Sequence, residues 1–318
     1  MQSPQAILVS NYHPRYVSKF HSHIEDDNWK QELPEGFASA AAVFILLATI
    51  YSLYAFSYKP YAAGITLIEA ISPSSKGVEG NYVAFKKVDE YGSVGIPEMR
   101  EQLIQIGGQI LQSPNVPTEE KLKFAQLIDS EYQAQFKLAP DDARYFFFYG
   151  SYLNSIGNSK GAVASLEHAA QLSPRKQQIL FSLGAAYITV GEYDKAFTIL
   201  KTAYESEKSN TQAEELYAAA AIYVGKIEVV QELYGTDTPA IGNIARAYSD
   251  VKKFDKAKAS ALKLVALTPN DADAHLVLAS IYIKLNDKQN AILEIKKVIA
   301  LNPSFEAQGT ASIKQLQK

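Results

Sequence analysis

Residues 143–176 read ARYFFFYGSYLNSIGNSKGAVASLEHAAQLSPRK, and residues 177–210 read QQILFSLGAAYITVGEYDKAFTILKTAYESEKSN. Laid one on the other, Gly150 falls on Gly184, Gly157 on Gly191, Ala162 on Ala196, Leu166 on Leu200 and Ala169 on Ala203, each 34 residues apart. The interval continues outward: Gly184 to Ala218, Ala245 to Ala279, Pro140 to Pro174 and Pro269 to Pro303. A fixed period of this length marks stacked supersecondary units rather than one wound core.

Packing explains the order. Two helices approach closely only where one of them is small, so Gly150, Ala162 and Ala169 are expected where backbones cross, with Leu153 and Leu166 filling the space around them. Pro174 ends the second helix, having no N–H and clashing with the preceding turn. One such pair cannot bury its apolar stripe alone, so neighbours must stack. Phasing gives five units, at about 143–176, 177–210, from 211, 238–271 and 272–305. The step from Ala218 to Ala245 is only 27 residues. The segment Leu233 to Pro239 is therefore expected to cut short the second helix of the third unit.

The order of large residue, Leu-Gly, Tyr, Gly, Ala, Phe, Ala and Pro resembles the tetratricopeptide repeat (TPR) family. The resemblance implies an all-α chain with a right-handed TPR α-solenoid over residues 141–305.

The 318 residues carry a formal net charge of −3 and no cysteine. That balance gives no attraction to nucleic acid, and no thiol chemistry or disulfide is available. No cofactor is indicated. Residues 1–35 read as a polar, flexible tail; His21 and His23 beside Glu25, Asp26 and Asp27 are weighed there as a metal site against a solvated tail, and the tail is preferred. Residues 36–58, GFASAAAVFILLATIYSLYAFSY, hold no charge and are long enough to cross a hydrocarbon core of roughly 30 Å. Tyr51, Tyr54, Tyr58, Lys59 and Tyr61 crowd the far end as an interfacial anchor would. One transmembrane helix in the lipid bilayer is expected, against the alternative of a buried core helix. Orientation stays open, because Lys19 and Lys30 before the span balance Lys59 and Lys76 after it.

Residues 59–95 are expected as a juxtamembrane helix with apolar positions Ile65, Leu67, Ile68 and Ile71, then a connector with a helical turn near residues 81–85. Gly92 to Gly95 reads as a turn. Residues 96–140 read as a degenerate capping helix pair, about 97–112 and 118–138. Within it Gly107-Gly108 costs roughly 1 kcal/mol per glycine, with close packing as the expected compensation. Residues 306–318 read as a last solvating helix.

The order of parts, from YKPYAAGITLIEAI through NYVAFKKVDEYG and PEMREQL to the first two units, resembles the carboxy-terminal region of bacterial O-antigen ligase-like (Wzy/WaaL-type) membrane proteins. The resemblance covers about residues 36–235 and implies a setting in surface-polysaccharide assembly at a bacterial cytoplasmic membrane. It carries over no catalytic residue, because the glycan-transfer chemistry of those proteins lies in a polytopic part that has no counterpart here. Two expectations follow: a single-span scaffold, or the docking part of such a glycan-transfer protein.

No nucleophile elbow, Walker A loop, EF-hand or HExxH is present. His168 and His275 fall at helical repeat positions with no evident acid partner and read as surface or packing residues. Asp141-Asp142 and Glu214-Glu215 lie at helix starts, where they favour the macrodipole. No enzyme is expected.

What remains is a groove for a protein or peptide. In TPR arrays the first helix of each unit lines the concave face. The corresponding positions are Arg144, Phe147, Ser151 and Asn154, then Gln178, Phe181, Ala185 and Ile188, then Gln212, Glu215, Ala219 and Ile222. The fourth unit offers Arg246 and Ser249, and the fifth Asp273, Leu276, Ser280 and Ile283. Phe147 and Phe181 stand where chaperone-type repeats place a carboxylate-binding Lys and Asn, so an apolar peptide is expected, with Arg144 and Asn154 making polar contacts. Four successive aromatics, Tyr145 to Phe148, cannot share one face, so Phe147 is divided between groove and interior.

Overall fold

The computed structural model describes residues 36–318; the tail and its His21–His23 site lie outside the described residues. The described residues divide at Ala62 and Ala63 into two compact units.

In the first unit, helix α1 (Phe37–Leu53) gives way to a π-helical turn at Tyr54–Tyr58, and α2 (Lys59–Ile71) begins directly after it. Such a turn widens the i→i+4 ladder to i→i+5. Tyr54 and Tyr58 stack at 5.7 Å, and Lys59 Nζ lies 5.6 Å from the Tyr54 ring centre. None of the side chains of α1 is buried.

In the second unit, residues 77–91, expected as a connector, are instead the full helix α3 (Gly77–Tyr91). Its Asn81 donates to the Ala70 and Ser72 carbonyls at 2.8 and 2.7 Å, closing the end of α2. The face of α2 that packs on the protein is not the one that carries its expected apolar positions. Ala63, Thr66 and Ala70 are buried, while Ile65, Ile68 and Ile71 are exposed and Leu67 is partly covered. Small residues allow the backbone a closer approach to the core than isoleucine does.

Next come α4 (Ile96–Gln112) and α5 (Thr118–Leu138). Arg100 of α4 is buried between Glu131 (2.9 Å) and Gln135 (2.5 Å) of α5. A Cβ on Gly107 would lie 2.6 Å from Ile128 Cδ1, so this glycine is the close crossing of the pair. Gly108 is different: its Cβ would meet only Tyr152 Cδ2, at an ordinary 4.0 Å.

Five helix pairs follow: α6 (Ala143–Ser155) with α7 (Ser159–Leu172), α8 (Gln177–Val190) with α9 (Tyr193–Ser206), α10 (Thr211–Tyr223) with α11 (Ile227–Tyr234), α12 (Gly242–Asp250) with α13 (Phe254–Leu267), and α14 (Ala272–Lys284) with α15 (Lys288–Leu301). A 3₁₀ turn at Pro303–Phe305 leads into α16 (Glu306–Leu316). One turn recurs in all five pairs. Asn158, Glu192, Lys226, Lys253 and Asp287 donate their N–H to the carbonyls five residues back, at 2.8–2.9 Å. The residue before each of them has positive φ: Gly157, Gly191, Gly225, Lys252 and Asn286. This left-handed closure of a helix end is the Schellman turn, and it phases the five units. Helix α11 is short, as the 27-residue step required, and residues 235–241 follow it as loop.

The crossings use the expected residues. A Cβ on Gly150 would lie 2.7 Å from Leu166 Cγ, and one on Gly184 2.5 Å from Leu200 Cγ. Ala162, Leu166, Ala169, Ala196, Leu200 and Ala203 are all buried.

Candidate functional site

The first helices of successive units, α6, α8, α10, α12 and α14, touch one another, and α4 touches α6; the second helices of neighbouring units do not meet. A stack that is closer along its first helices curves toward them, so α4, α6, α8, α10, α12 and α14 line the inner face.

On α6, Arg144 is exposed. Its guanidinium donates to the N-capping Asp142 at 2.8 Å and lies 3.9 Å from Glu101 of α4. The hydrogen bond from Arg144 holds the Asp142 carboxyl below its usual range. Tyr145 is buried, and Phe146 stacks on Phe136 at 4.3 Å and meets His168 edge-on. Phe147 and Phe148 are half-buried, their rings 5.7 Å apart. Ser151 and Asn154 are partly covered, and Ser151 Oγ is shut from solvent without a hydrogen-bond partner.

On α8, Gln178 and Ala185 are exposed, and Phe181 and Ile188 are half-buried. On α10, Gln212 is exposed and Glu215 half-buried, its carboxyl raised by burial and by the neighbouring Glu214. The inner-face expectation fails for Ala219 and Ile222, which are buried at 4% and 1% exposure, and for Ser249. The cause is the short α11: with little second helix between them, α10 packs directly on α12. In the later units Arg246, Asp273, Ser280 and Ile283 are exposed and Leu276 is half-buried.

Between α4 and α6 lies a cleft of about 300 Å³. Gln105, Gln109 and Gln112 of α4 edge it, with Gly108 between them, and Phe147, Phe148, Ser151 and Ser155 close the other side. The sequence expectations did not single out these glutamines, although their i, i+4, i+7 spacing places them on one helix face.

His275 is corrected. It is buried and does have an acid partner: Nδ1 lies 2.5 Å from Glu294 Oε2, and Nε2 lies 2.9 Å from the Pro269 carbonyl oxygen. Lys297 donates to the other Glu294 oxygen at 3.0 Å. The constellation ties α15 to the turn before α14, and with both ring nitrogens engaged it offers no free base. Among the described residues no three His, Asp or Glu side chains converge as a metal site would.

Comparison with known proteins places the repeats. Residues 177–210 and residues 243–304 match models of the tetratricopeptide repeat. No curated protein matches the chain. Among solved structures, a tetratricopeptide repeat protein from Parabacteroides merdae ATCC 43184 aligns over 76% of this chain and 93% of its own, with 15% identity and a TM-score of 0.51. A thermophilic TPR protein of Thermus thermophilus aligns over 55% of this chain and 99% of its own, at 15% identity and a TM-score of 0.43. YrrB, described as a TPR protein with an unusual peptide-binding site, aligns over 57% and 97%, at 17% identity and a TM-score of 0.32. The first of these, at a TM-score of 0.51 and 15% identity, shows a likeness of fold alone.

Proposed function

We propose that this tetratricopeptide-repeat protein is a membrane-anchored, non-catalytic scaffold that holds a protein partner on the inner face of α6 and α8. The observation behind this reading is the character of that face. Phe147, Phe181 and Ile188 are partly exposed on a stack of helices, among uncharged Ser151, Asn154, Gln178 and Ala185. A half-exposed aromatic on a curved helical surface suits an anchor residue of a peptide or helix. Arg144 is already engaged by Asp142 and Glu101, which removes it as a free carboxylate clamp. Gln212 and Glu215 form the far margin of the surface.

The anchor in this reading is the helix Phe37–Ile71, whose most apolar window has a mean hydropathy of 1.9 and no burial. Residues 36–58 supply the membrane-crossing part, about 34 Å at 1.5 Å per residue, and the Tyr54, Tyr58 and Lys59 cluster marks an interface. The finer setting, surface-polysaccharide assembly in a bacterial envelope, rests on the resemblance of residues 36–235 alone.

Two measurements test the proposal. Alkaline carbonate extraction of membranes is expected to leave the full chain in the pellet and to release a chain lacking residues 36–58; release of both removes the anchor. A photo-crosslinking amino acid at Phe181 is expected to trap one discrete protein adduct in cells, and the same group at Leu138, exposed at the end of α5, is expected to trap none. Identical adducts at both positions would remove the groove.

A further inference from the structure

The geometry points to the cleft between α4 and α6 as the binding subsite for an extended, uncharged peptide segment with one large apolar side chain. This rests on the groove reading above and names what the groove takes up.

The first observation is the second glycine of α4. Gly107 has a packing reason, because Ile128 occupies the space of its absent Cβ; Gly108 has none, since only Tyr152 would touch its Cβ, at 4.0 Å. A glycine inside a helix weakens it. What the missing side chain at Gly108 does is leave the cleft open toward Phe147 and Phe148. The volume of about 300 Å³ lies at the low end for ligand pockets. It suits a single large side chain rather than a cofactor.

The second observation is the set of polar groups along the rim. Gln105, Gln109 and Gln112 are exposed on one face of α4. A primary amide offers a donor and an acceptor together, matching the C=O and N–H of a peptide group. Gln105 and Gln109 are separated by a rise of about 6 Å along α4. An extended chain repeats its peptide groups along one edge about every 6.7 Å, so two successive amides can address the same edge.

The third observation is charge. No charged side chain lines the cleft. On the neighbouring inner face the single Arg144 cation is shared by the Asp142 and Glu101 carboxylates, which leaves a net charge of −1. A charged group entering the cleft would lose hydration and find no counter-ion among the lining residues, which favours a neutral segment, and the net negative charge beside the cleft repels a free carboxy terminus.

The test pans a random octapeptide display library on the full chain in nanodiscs, then measures selected, end-blocked peptides by fluorescence anisotropy. Maltohexaose serves as the neutral non-peptide probe. The proposal expects neutral peptides with one large apolar residue. Their affinity should fall slightly in Gly108→Ala and at least about tenfold in Gly108→Leu. It should also fall in Gln105→Ala/Gln109→Ala, where exposed alanines on a helix leave the fold intact. Thermal unfolding of each variant at or above the wild-type midpoint shows that the loss is not unfolding. Charged consensus peptides, or binding indifferent to Gly108→Leu, overturn the proposal. Maltohexaose binding that is lost in Gly108→Leu, without peptide binding, reassigns the cleft to a glycan and overturns it too. Peptides that bind, lose affinity in Phe181→Ala and ignore every cleft variant leave the groove standing and refute the cleft alone. Failure of any peptide to bind removes both.

Discussion

Adding one methyl group at Gly184 tests whether the glycines of this array are crossings or flexible points. In a bare helix Gly→Ala gains about 1 kcal/mol. Here the new Cβ would stand 2.5, 2.6 and 2.8 Å from Cγ, Cδ2 and Cδ1 of Leu200. Carbon atoms rest at roughly 3.5–4.0 Å, so α8 and α9 must separate by about 1 Å or Leu200 must leave its rotamer. Leu200 is 1% exposed, so it cannot swing out into solvent. Overpacking of this kind costs about 1–3 kcal/mol, and with three atoms in collision the upper part of that range applies. Gly184→Ala is therefore expected to destabilise the α8–α9 pair by about 1–2 kcal/mol net. Leu200→Ala removes the colliding atoms and alone costs about 2–5 kcal/mol. In that background Gly184→Ala is expected to stabilise, giving a coupling of about 2–3 kcal/mol. Native-state hydrogen exchange on the full chain, read on amides 177–206, measures the local opening without assuming that a repeat array unfolds in one step. If Gly184→Ala raises protection by the same amount in both backgrounds, the crossing argument is wrong.

Two other perturbations follow from the same packing. Burial raises the phenols of Tyr132, Tyr149, Tyr187 and Tyr223 far above their ordinary value, and Tyr152 to about 12. Hydrogen bonds to Asp129, Glu167 and Asp250 add to the effect at Tyr149, Tyr187 and Tyr223. Unfolded tyrosines ionise near 10.0, so above that pH the unfolded chain releases protons that the folded chain keeps. This stability is complete below pH 10 and is lost as pH rises. The part of the phenolate absorbance that belongs to these five tyrosines should then appear only together with loss of helical circular dichroism; its appearance while the helices persist would contradict the reasoning. At Lys252, φ is 61°, in the position filled by glycine in the first three units. The left-handed conformation costs a non-glycine residue about 1–2 kcal/mol, so Lys252→Gly should stabilise the fourth unit by about 1 kcal/mol in hydrogen exchange. A loss of protection there would contradict the shared-turn assignment.

The parts of the fold that were legible in the sequence are those where one position decides the packing. Glycine at a crossing, proline after a second helix and the shortened step before Ala245 each leave a local mark. What escaped depends on partners distant in sequence. Arg100 looks like a surface residue until α5 brings Glu131 and Gln135 to it, 31 and 35 residues away. His275 meets Glu294 only because α15 folds back on α14. The helix at residues 77–91 was hidden by Gly77 and Gly80 near its start. Gly77 supplies a positive φ there, while Gly80 lies under Ser74, whose Oγ would sit 2.1 Å from an added Cβ. In the candidate site, the α6 and α8 positions could be numbered from the period. The glutamines of α4 could not, because that pair departs from the repeat pattern.

The short α11 has the widest consequence for how the surface works. With α10 packed directly on α12, Ala219 and Ile222 turn inward, and the apolar core divides. One cluster runs from Ala63 to Ala196 and a second from Ala218 to Ala291. Aromatic pairs span the seam, Tyr193 on Tyr223 at 5.0 Å and Tyr204 on Tyr217 at 5.3 Å. The surface changes character at the same place. Over α4, α6 and α8 the charges on the inner face are gathered in one group, Arg144 with Asp142 and Glu101. Beyond the seam Glu215, Arg246 and Asp273 bring charge of both signs. A neutral segment lying along α4, α6 and α8 therefore meets, at α10, both the loss of side chains that could hold it and the onset of charge that would have to be desolvated. Either change would end the favourable surface, and their coincidence at one irregular unit gives the proposed site its boundary.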